Sequence, residues 1–374
     1  MNGYIIRLAI LFTLVFVPPI AFPTAVEGQS PDPGPVAVAA SRSPKELIGI
    51  AAQKTSDAKT DRDFAEIIYY LDKALASTAI VPKHRAYARQ LKGWAHNRLG
   101  ESFSQQGKEA AALTQFELAV NLNFKHWKAL HNRGVSYAMG ERFDEALQDF
   151  SSAIRINPEY ANAWFNRAEI FMRLGKTDLA IENYSQAITL NPHDAGYYQG
   201  RGKAYRIRKK YLQARADLDK ALEVDGQSAM SYVERGDLWL EQGDFEKSAA
   251  DYRSAVHSNN QFAEAFQRIA WMMATCPDLR YRDVKRAVAF AQRARRLHGG
   301  ENFRYLDTLA AAHANAEEFG LAVEQQQLAI KLAEGKATNR ELNHLKQRLE
   351  QYVRKLPHRQ ERIASRPENP KQVQ

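Results

Sequence analysis

The sequence predicts an all-α fold in which helical hairpins stack on one another as a solenoid. The main observation is an internal repeat: W-K-A-L-H-N-R-G-V-S-Y followed by F-D-E-A-L-Q-D-F-S-S-A-I-R-I-N-P returns as A-N-A-W-F-N-R-A-E-I-F followed by T-D-L-A-I-E-N-Y-S-Q-A-I-T-L-N-P. Pro158 and Pro192 lie at matching places in the two copies, 34 residues apart. One hairpin cannot bury its own apolar face, so consecutive copies have to stack.

Each repeat has the pattern of two helices. In the copy that begins at Ala161, the residues at i, i+4 and i+7 are Trp164, Ala168 and Phe171 in the first helix and Ala180, Tyr184 and Ala187 in the second. Gly175 between the helices is suited to a left-handed cap. Pro192 cannot continue the second helix and therefore closes the unit.

Five regular units cover residues 93–262. They begin at Gly93, Trp127, Ala161, Ala195 and Ala229. Small residues recur in all five at the eighth, twentieth and twenty-seventh places. With this period and pattern the chain resembles the tetratricopeptide-repeat (TPR) proteins. The resemblance implies a right-handed helix-turn-helix solenoid with terminal capping helices and a role in binding other proteins.

The N-terminal end of the array departs from the regular pattern. Ser43-Pro44-Lys45-Glu46 predicts a helix start with a capping box, and a second helix is expected to open at Asp61. We therefore interpret residues 44–92 as a helical pair that caps the array.

The C-terminal end diverges as well. Residues 263–336 predict two divergent units, and the first has about six extra residues before Val284. Their A-W-M-M-A-T-C-P-D and R-Y-L-D-T-L-A-A-A motifs resemble the ending of exported bacterial TPR proteins. Residues 337–356 predict a capping helix, and residues 357–374 are interpreted as a disordered polar tail. The apolar face of that helix is expected to hold Leu342, Leu345, Leu349, Val353 and Leu356.

The first residues are typical of a secretory signal. Arg7 precedes an apolar run at residues 8–17, followed by Pro18-Pro19 and small residues. Residues 1–28 are therefore expected to be a signal peptide or an uncleaved N-terminal membrane anchor, and residues 29–43 a proline-rich linker. This predicts an exported protein, periplasmic or extracellular.

Composition and motifs argue against catalysis. We find no glycine-rich phosphate loop, nucleophile elbow or metal-ligand spacing, since His126 and His131 are five residues apart. Cys276 is the only cysteine, and a buried structural thiol is favoured over a reactive one. We expect no enzyme activity, no metal and no cofactor. The net charge of +9 favours acidic partners.

Arginine recurs at the seventh place of four units, where the family usually has an aliphatic residue: Arg133, Arg167, Arg201 and Arg235. The twenty-third place holds Asp149, Asn183, Asp217 and Asp251. The matching periods favour structural pairs between the two places. The alternative is a row of arginines that lines a groove for an acidic ligand.

In the family, the inner face of the first helices binds extended peptides, and the resemblance places a partner-binding groove here. The matching positions, taken as site residues, are Lys128, His131, Asn162, Phe165, Glu169, Met172, Gln199, Lys203, Arg206 and Asp237. We expect a non-catalytic scaffold or adaptor that binds an extended or acidic segment of another protein. The alternative is an anionic polymer, RNA or acidic polysaccharide, on the basic segments 201–215 and 280–296. Export makes nucleic acid the less favoured partner.

Overall fold

The computed structural model describes residue 39 and residues 42–299 and 301–360. The expected signal or anchor at residues 1–28, most of the expected linker and residues 361–374 lie outside these ranges. The described residues form helices without strands, so the all-α helical-repeat prediction is confirmed. The helices are α1 (Pro44–Lys54), α2 (Asp61–Ala76), α3 (Pro82–Gln105), α4 (Glu109–Leu122), α5 (Trp127–Met139), α6 (Phe143–Ile156), α7 (Ala161–Arg173), α8 (Thr177–Leu190), α9 (Ala195–Ile207), α10 (Tyr211–Val224), α11 (Ala229–Gln242), α12 (Phe245–Ser258), α13 (Ala263–Thr275), α14 (Val284–His298), α15 (Phe303–Asn315), α16 (Phe319–Ala333) and α17 (Asn339–Val353).

The chain divides after Leu190 into an N-terminal unit and a C-terminal unit. The N-terminal unit contains α1 to α8, and its helices pack as sequential neighbours. Helix α1 begins with the predicted capping box, in which Ser43 caps the amide of Glu46 and the Glu46 carboxylate accepts from the Ser43 amide. Helix α3 begins at Pro82, eleven residues before the expected start at Gly93, because no helix-breaking residue separates the two positions.

Small residues at the eighth place let the helices of a hairpin approach closely. A Cβ atom on Gly100 would lie 2.6 Å from the Phe116 ring, and one on Gly134 would lie 2.9 Å from the Phe150 ring. Both rings belong to the second helix of the same hairpin and are buried. In these two units the eighth place is therefore small because an aromatic side chain fills the space beside it, and beside Gly202 the same space is filled by Leu218.

The turn after α7 has the predicted left-handed cap. Gly175 has φ +72°, its amide donates to the Met172 carbonyl, and the Lys176 amide donates to the Phe171 carbonyl. This pair of hydrogen bonds is a Schellman motif. Lys209 has a similar φ of +58°, so a residue with a Cβ occupies the same conformation at that turn.

The C-terminal unit contains α9 to α17. Helix α13 ends at Thr275, and a short 3-10 helix at Leu279–Tyr281 fills the predicted insertion. Helix α17 packs on α16 and begins with a capping box at Thr338.

The buried face of α17 differs in part from the expected one. Leu345 and Tyr352 are buried, whereas Val353 is 63% exposed and Leu356 is 54% exposed. The helix ends at Val353, so Leu356 no longer follows the helical period. Residues 357–360, expected to be disordered, pack against α13. Among the described residues, no helix combines the length and apolar content needed to cross a bilayer.

Candidate functional site

The arginines at the seventh place form pairs within their own repeats. Nε and Nη2 of Arg133 donate to the two carboxylate oxygens of Asp149, both at 2.8 Å. The same two-pronged geometry joins Arg201 to Asp217 and Arg235 to Asp251. The structural-pair interpretation is therefore confirmed over a free arginine row.

In the third unit, the partner of the arginine is a neutral amide and not a carboxylate. Arg167 donates from Nε to Asn183 Oδ1 at 2.8 Å, and Asn183 donates to the Leu179 carbonyl. Arg167 also donates to the Ser151 hydroxyl on α6, the second helix of the preceding repeat. Arg167 therefore joins the two helices of its own hairpin and also joins that hairpin to the preceding one.

A chain of polar side chains crosses the first helices of the N-terminal unit. Asn132 donates from Nδ2 to Asn97 Oδ1 at 3.0 Å, and Asn97 also donates to Glu101. On its other side, Asn132 lies 3.3 Å from Nδ1 of His131, whose Nε2 lies 2.8 Å from Nδ2 of Asn166. We call these five residues the polar ladder. It joins α3, α5 and α7.

The buried end of the polar ladder has an unused acceptor. His131 is buried, and burial lowers the pKa of its imidazole from 6.5 to about 4, so the ring is neutral at pH 7. Asn166 is 5% exposed, and its Oδ1 has no hydrogen-bond partner among the described residues. Unsatisfied buried acceptors are uncommon in native proteins, so Asn166 Oδ1 is a candidate contact for a ligand amide.

The other predicted groove residues of the N-terminal unit lie beside the ladder. Phe165 is partly buried, and its ring centre lies 5.8 Å from that of Tyr184. The Tyr184 hydroxyl donates to the Glu169 carboxylate. Asn162 and Met172 are partly buried, and Lys128 is exposed above the Trp127 ring. This set combines an aromatic ring, a thioether and an exposed ammonium group around the ladder.

His126, the other histidine considered as a ligand, has a structural role. Its Nδ1 accepts from the Ala129 amide at the start of α5, whereas His131 belongs to the polar ladder. The two imidazoles therefore contact different groups. In the described ranges, no group of three or more histidine, cysteine or carboxylate side chains could hold a metal ion.

The predicted site residues of the C-terminal unit lie in an ionic cluster. Lys203 Nζ and Arg206 Nη2 contact the two carboxylate oxygens of Glu234 at 2.7 and 2.9 Å. Arg206 also pairs with Glu241 and lies 3.5 Å from Asp237. Gln199, on the same helix as Lys203, is partly buried.

The cluster contains more acid than base. Arg268 completes it with contacts to Asp237 at 3.5 Å and Glu264 at 3.1 Å, which gives three cations and four carboxylates. Burial raises the pKa of Glu264, whereas at Glu234 the charges of Lys203 and Arg206 outweigh burial and lower the pKa to about 2. Lys203 and Arg206 are thus neutralised by carboxylates of the chain itself.

The structure also shows the environment of Cys276 and of the basic segment 280–296. Cys276 is fully buried, and burial raises the pKa of its thiol, which agrees with a structural thiol. Helix α14 exposes Lys285, Arg286, Arg295 and Arg296, so part of the basic segment 280–296 faces solvent.

Sequence reasoning missed the polar ladder, although a signal was present. The dipeptide N-R occurs at Asn97, Asn132 and Asn166, in three consecutive units. The arginine period extends over four units, whereas asparagine precedes only Arg133 and Arg167 of that row, so the asparagines are the less regular pattern. A polar residue that recurs on a helix otherwise facing its neighbours indicates contacts between repeats.

Comparison with known proteins agrees with this architecture. Tetratricopeptide-repeat family models match residues 161–194 and 200–263, and a TPR-repeat model matches residues 137–175. No curated protein is significantly similar in sequence.

Many solved structures are similar in fold, and two of them cover most of this chain. A tetratricopeptide repeat protein from Parabacteroides merdae has a TM-score of 0.53 and 20% identity, over 70% of this chain and 98% of that one. A chain of the APC/C hetero-tetramer Cut9–Hcn1 has a TM-score of 0.57 and 15% identity, over 84% of this chain and 56% of that one. Identities this low show a shared fold alone.

Proposed function

This chain is a tetratricopeptide-repeat protein, and from that premise we propose that it is a non-catalytic scaffold that binds an extended segment of another protein. The proposed site is the concave face that the family uses, at the polar ladder and the α7 residues beside it. The neighbour from the Cut9–Hcn1 hetero-tetramer belongs to a protein assembly, which is consistent with this class of function.

The observation that carries the proposal is the unpaired acceptor of Asn166. An extended peptide offers main-chain amide donors, and one of them would bond to Asn166 Oδ1 once the side chains that cover this buried atom move aside. Phe165 and Met172 on the same helix supply partly buried apolar surface for a side chain of the partner. The ladder fixes the position of Asn166, so little conformational entropy is lost at this side chain when the partner binds.

The partner's charge follows from the cations that remain available. The ionic cluster neutralises Lys203 and Arg206, so we assign them no role in attracting an acidic partner. Lys128 is exposed on α5, and the chain as a whole is basic. We therefore propose an extended segment with an apolar residue near Phe165 and an acidic residue near Lys128.

Photo-crosslinking tests where binding occurs. p-Benzoylphenylalanine at Asn162 is expected to capture a partner in native cells, and the same group at Glu182, exposed on α8, is the matched control. The captured partner is then measured against two variants. Phe165→Ala should weaken binding by roughly 1–3 kcal/mol, as loss of a buried aromatic anchor does. Glu182→Ala should have no effect, and an equal loss from both variants would exclude this face.

We also propose that the protein is exported. The support is the charged and apolar pattern at residues 1–28, which lie outside the described ranges. Fractionation of native cells and sequencing of the mature N-terminus test this proposal. An intact Met1 on cytoplasmic protein contradicts it.

The exposed cations of α14 favour one alternative function, the binding of an anionic polymer. Lys285, Arg295 and Arg296 are exposed and make no ion pair of 4 Å or less in the described residues. Polymer binding releases counterions, so its affinity should fall steeply between about 50 and 200 mM salt. Binding at the polar ladder should change far less, because it depends on apolar contacts and amide hydrogen bonds.

A further inference from the structure

The end of α13 is completed by the C-terminal segment of the chain. The last four carbonyls of a helix have no partner within it. The amides of Cys276 and Asp283 donate to Met272 and Met273. The two remaining carbonyls accept from residues far along the chain, as Arg359 Nη1 donates to Ala274 at 3.1 Å and the Gln360 amide to Thr275 at 2.9 Å.

Arg359 also reaches the neighbouring repeat. Its Nη2 donates to Asn315 Oδ1 at 2.9 Å, and Asn315 is the last residue of α15. One guanidinium therefore joins the ends of the first helices of the last two repeats. The donors of arginine match two acceptors held in fixed positions, which lysine cannot reproduce.

Trp271 packs against the C-terminal segment next to the Arg359 contacts. The Trp271 ring centre lies 5.8 Å from the His358 ring, and the Arg348 guanidinium lies over Trp271 at 5.4 Å. Arg348 is held by two 2.8 Å bonds to Asp307. Trp271 belongs to the first of the two divergent C-terminal motifs and Asp307 to the second. Together with Arg348 they form one surface, which residues 357–360 cover.

The position of this surface in the repeat is informative. Trp271 and Ala274 are the ninth and twelfth residues of their unit, counted from Ala263. Glu169 and Met172 hold these places in the unit that begins at Ala161, which contributes to the proposed peptide-binding face. The C-terminal segment therefore lies where a bound peptide is expected.

We propose that the last two repeats form a second peptide site, specific for an extended segment that carries arginine, and that residues 357–360 occupy it as an internal ligand. Three features define the ligand: an imidazole or similar flat ring against Trp271, an arginine that bridges α13 and α15, and a main-chain amide that follows it. The comparison of repeat positions rests on the function proposed for the polar ladder, but the contacts of this site and its test lie in the C-terminal unit, so either proposal can fail without the other.

The internal ligand lowers the apparent affinity of the site for peptides from other molecules. Only three residues separate Val353, the end of α17, from Pro357, and so short a link gives the segment an effective concentration of the order of millimolar. A free peptide with the same contacts has to compete with it. Removing the His358 and Arg359 side chains should expose the site without changing its walls.

The test uses the full chain and a fluorescein-labelled peptide with the sequence of residues 354–364. Fluorescence anisotropy should show binding to the variant His358→Ala/Arg359→Ala and at least tenfold weaker binding to the native chain. The same peptide with Arg359→Ala should not bind the variant. The matched control is the full chain with Arg354→Ala, an exposed residue just before the segment, which should behave as the native chain. A folded double variant that does not bind, or equal binding to both chains, would overturn the proposal.

Hydrogen exchange gives a second measurement that does not need the double variant. The Gln360 amide should be protected in the native chain, because it is bonded to the Thr275 carbonyl, and should lose protection in Arg359→Ala. Arg354→Ala should retain it. Exchange at the unprotected rate in the native chain would show that the site is empty and would contradict the internal ligand.

Discussion

The Arg133–Asp149 pair allows a sharp test of how the repeats are held together. The Asp149 side chain is 5% exposed, whereas that of Arg133 is 19% exposed. Arg133→Leu leaves a buried carboxylate without its partner, and breaking a buried pair in this way costs about 3–5 kcal/mol. Water can enter the space that the long side chain leaves, so we expect a loss near the lower end, about 3 kcal/mol.

The opposite change should cost less. Asp149→Leu leaves the Arg133 guanidinium unpaired, but this group already reaches solvent and can turn toward water. We expect a loss of about 1–2 kcal/mol. The side-chain exposures decide this order of the two losses, because the more buried partner cannot be hydrated after its counter-charge is removed.

Two further variants complete the experiment. Arg133→Leu/Asp149→Leu should recover most of the stability, since a buried ion pair replaced by apolar residues is often neutral. Arg167→Leu is the matched control, because its partner Asn183 is neutral and keeps its bond to Leu179. It should cost about 1 kcal/mol. Urea unfolding followed by circular dichroism gives the free energies. Additive losses in the double variant, or a loss from Arg167→Leu equal to that from Arg133→Leu, would refute the reasoning.

Three further predictions follow from single positions. Gly236→Ala should destabilise the protein by about 1–3 kcal/mol, because its Cβ would lie 2.6 Å from the buried Tyr252 ring. Gly49→Ala in α1 is the control, since its Cβ meets no atom within 4 Å, and it should stabilise the protein slightly. Thermal unfolding compares the two variants. Lys209→Gly should stabilise by about 1 kcal/mol, since φ is +58° there, and an unchanged or lower melting temperature contradicts this. The pKa of His131 is about 4 in the folded chain, against 6.5 for an imidazole in water, so the unfolded chain takes up the proton first. The contribution of His131 to the free energy of unfolding should therefore be constant above pH 6.5 and fall by roughly 3 kcal/mol as the pH drops to 4. Burial also lowers the pKa of His96, His126 and His358, so His131→Gln should keep a slope that is shallower than that of the native chain, and equal slopes by urea unfolding would exclude the assignment.

The sequence alone determined the features that recur within one repeat. The 34-residue period predicted the helical hairpins, the Gly175 cap and the small eighth place, because each depends on residues at a fixed distance in the same unit. The pairing of Arg133 with Asp149 belongs to this group, since its 16-residue separation is constant from unit to unit. Such contacts are set by helix geometry and by one short turn.

Only the tertiary structure decided which polar groups meet between repeats. Asn132 reaches Asn97 across 35 residues, Arg206 reaches Glu241 over the same separation, and Arg359 reaches Ala274 across 85. The residues at these positions change from unit to unit, so the period does not predict their partners. Whether a charge is free to attract a ligand or is already neutralised depends on the packing of successive first helices, which a pattern within one repeat does not contain.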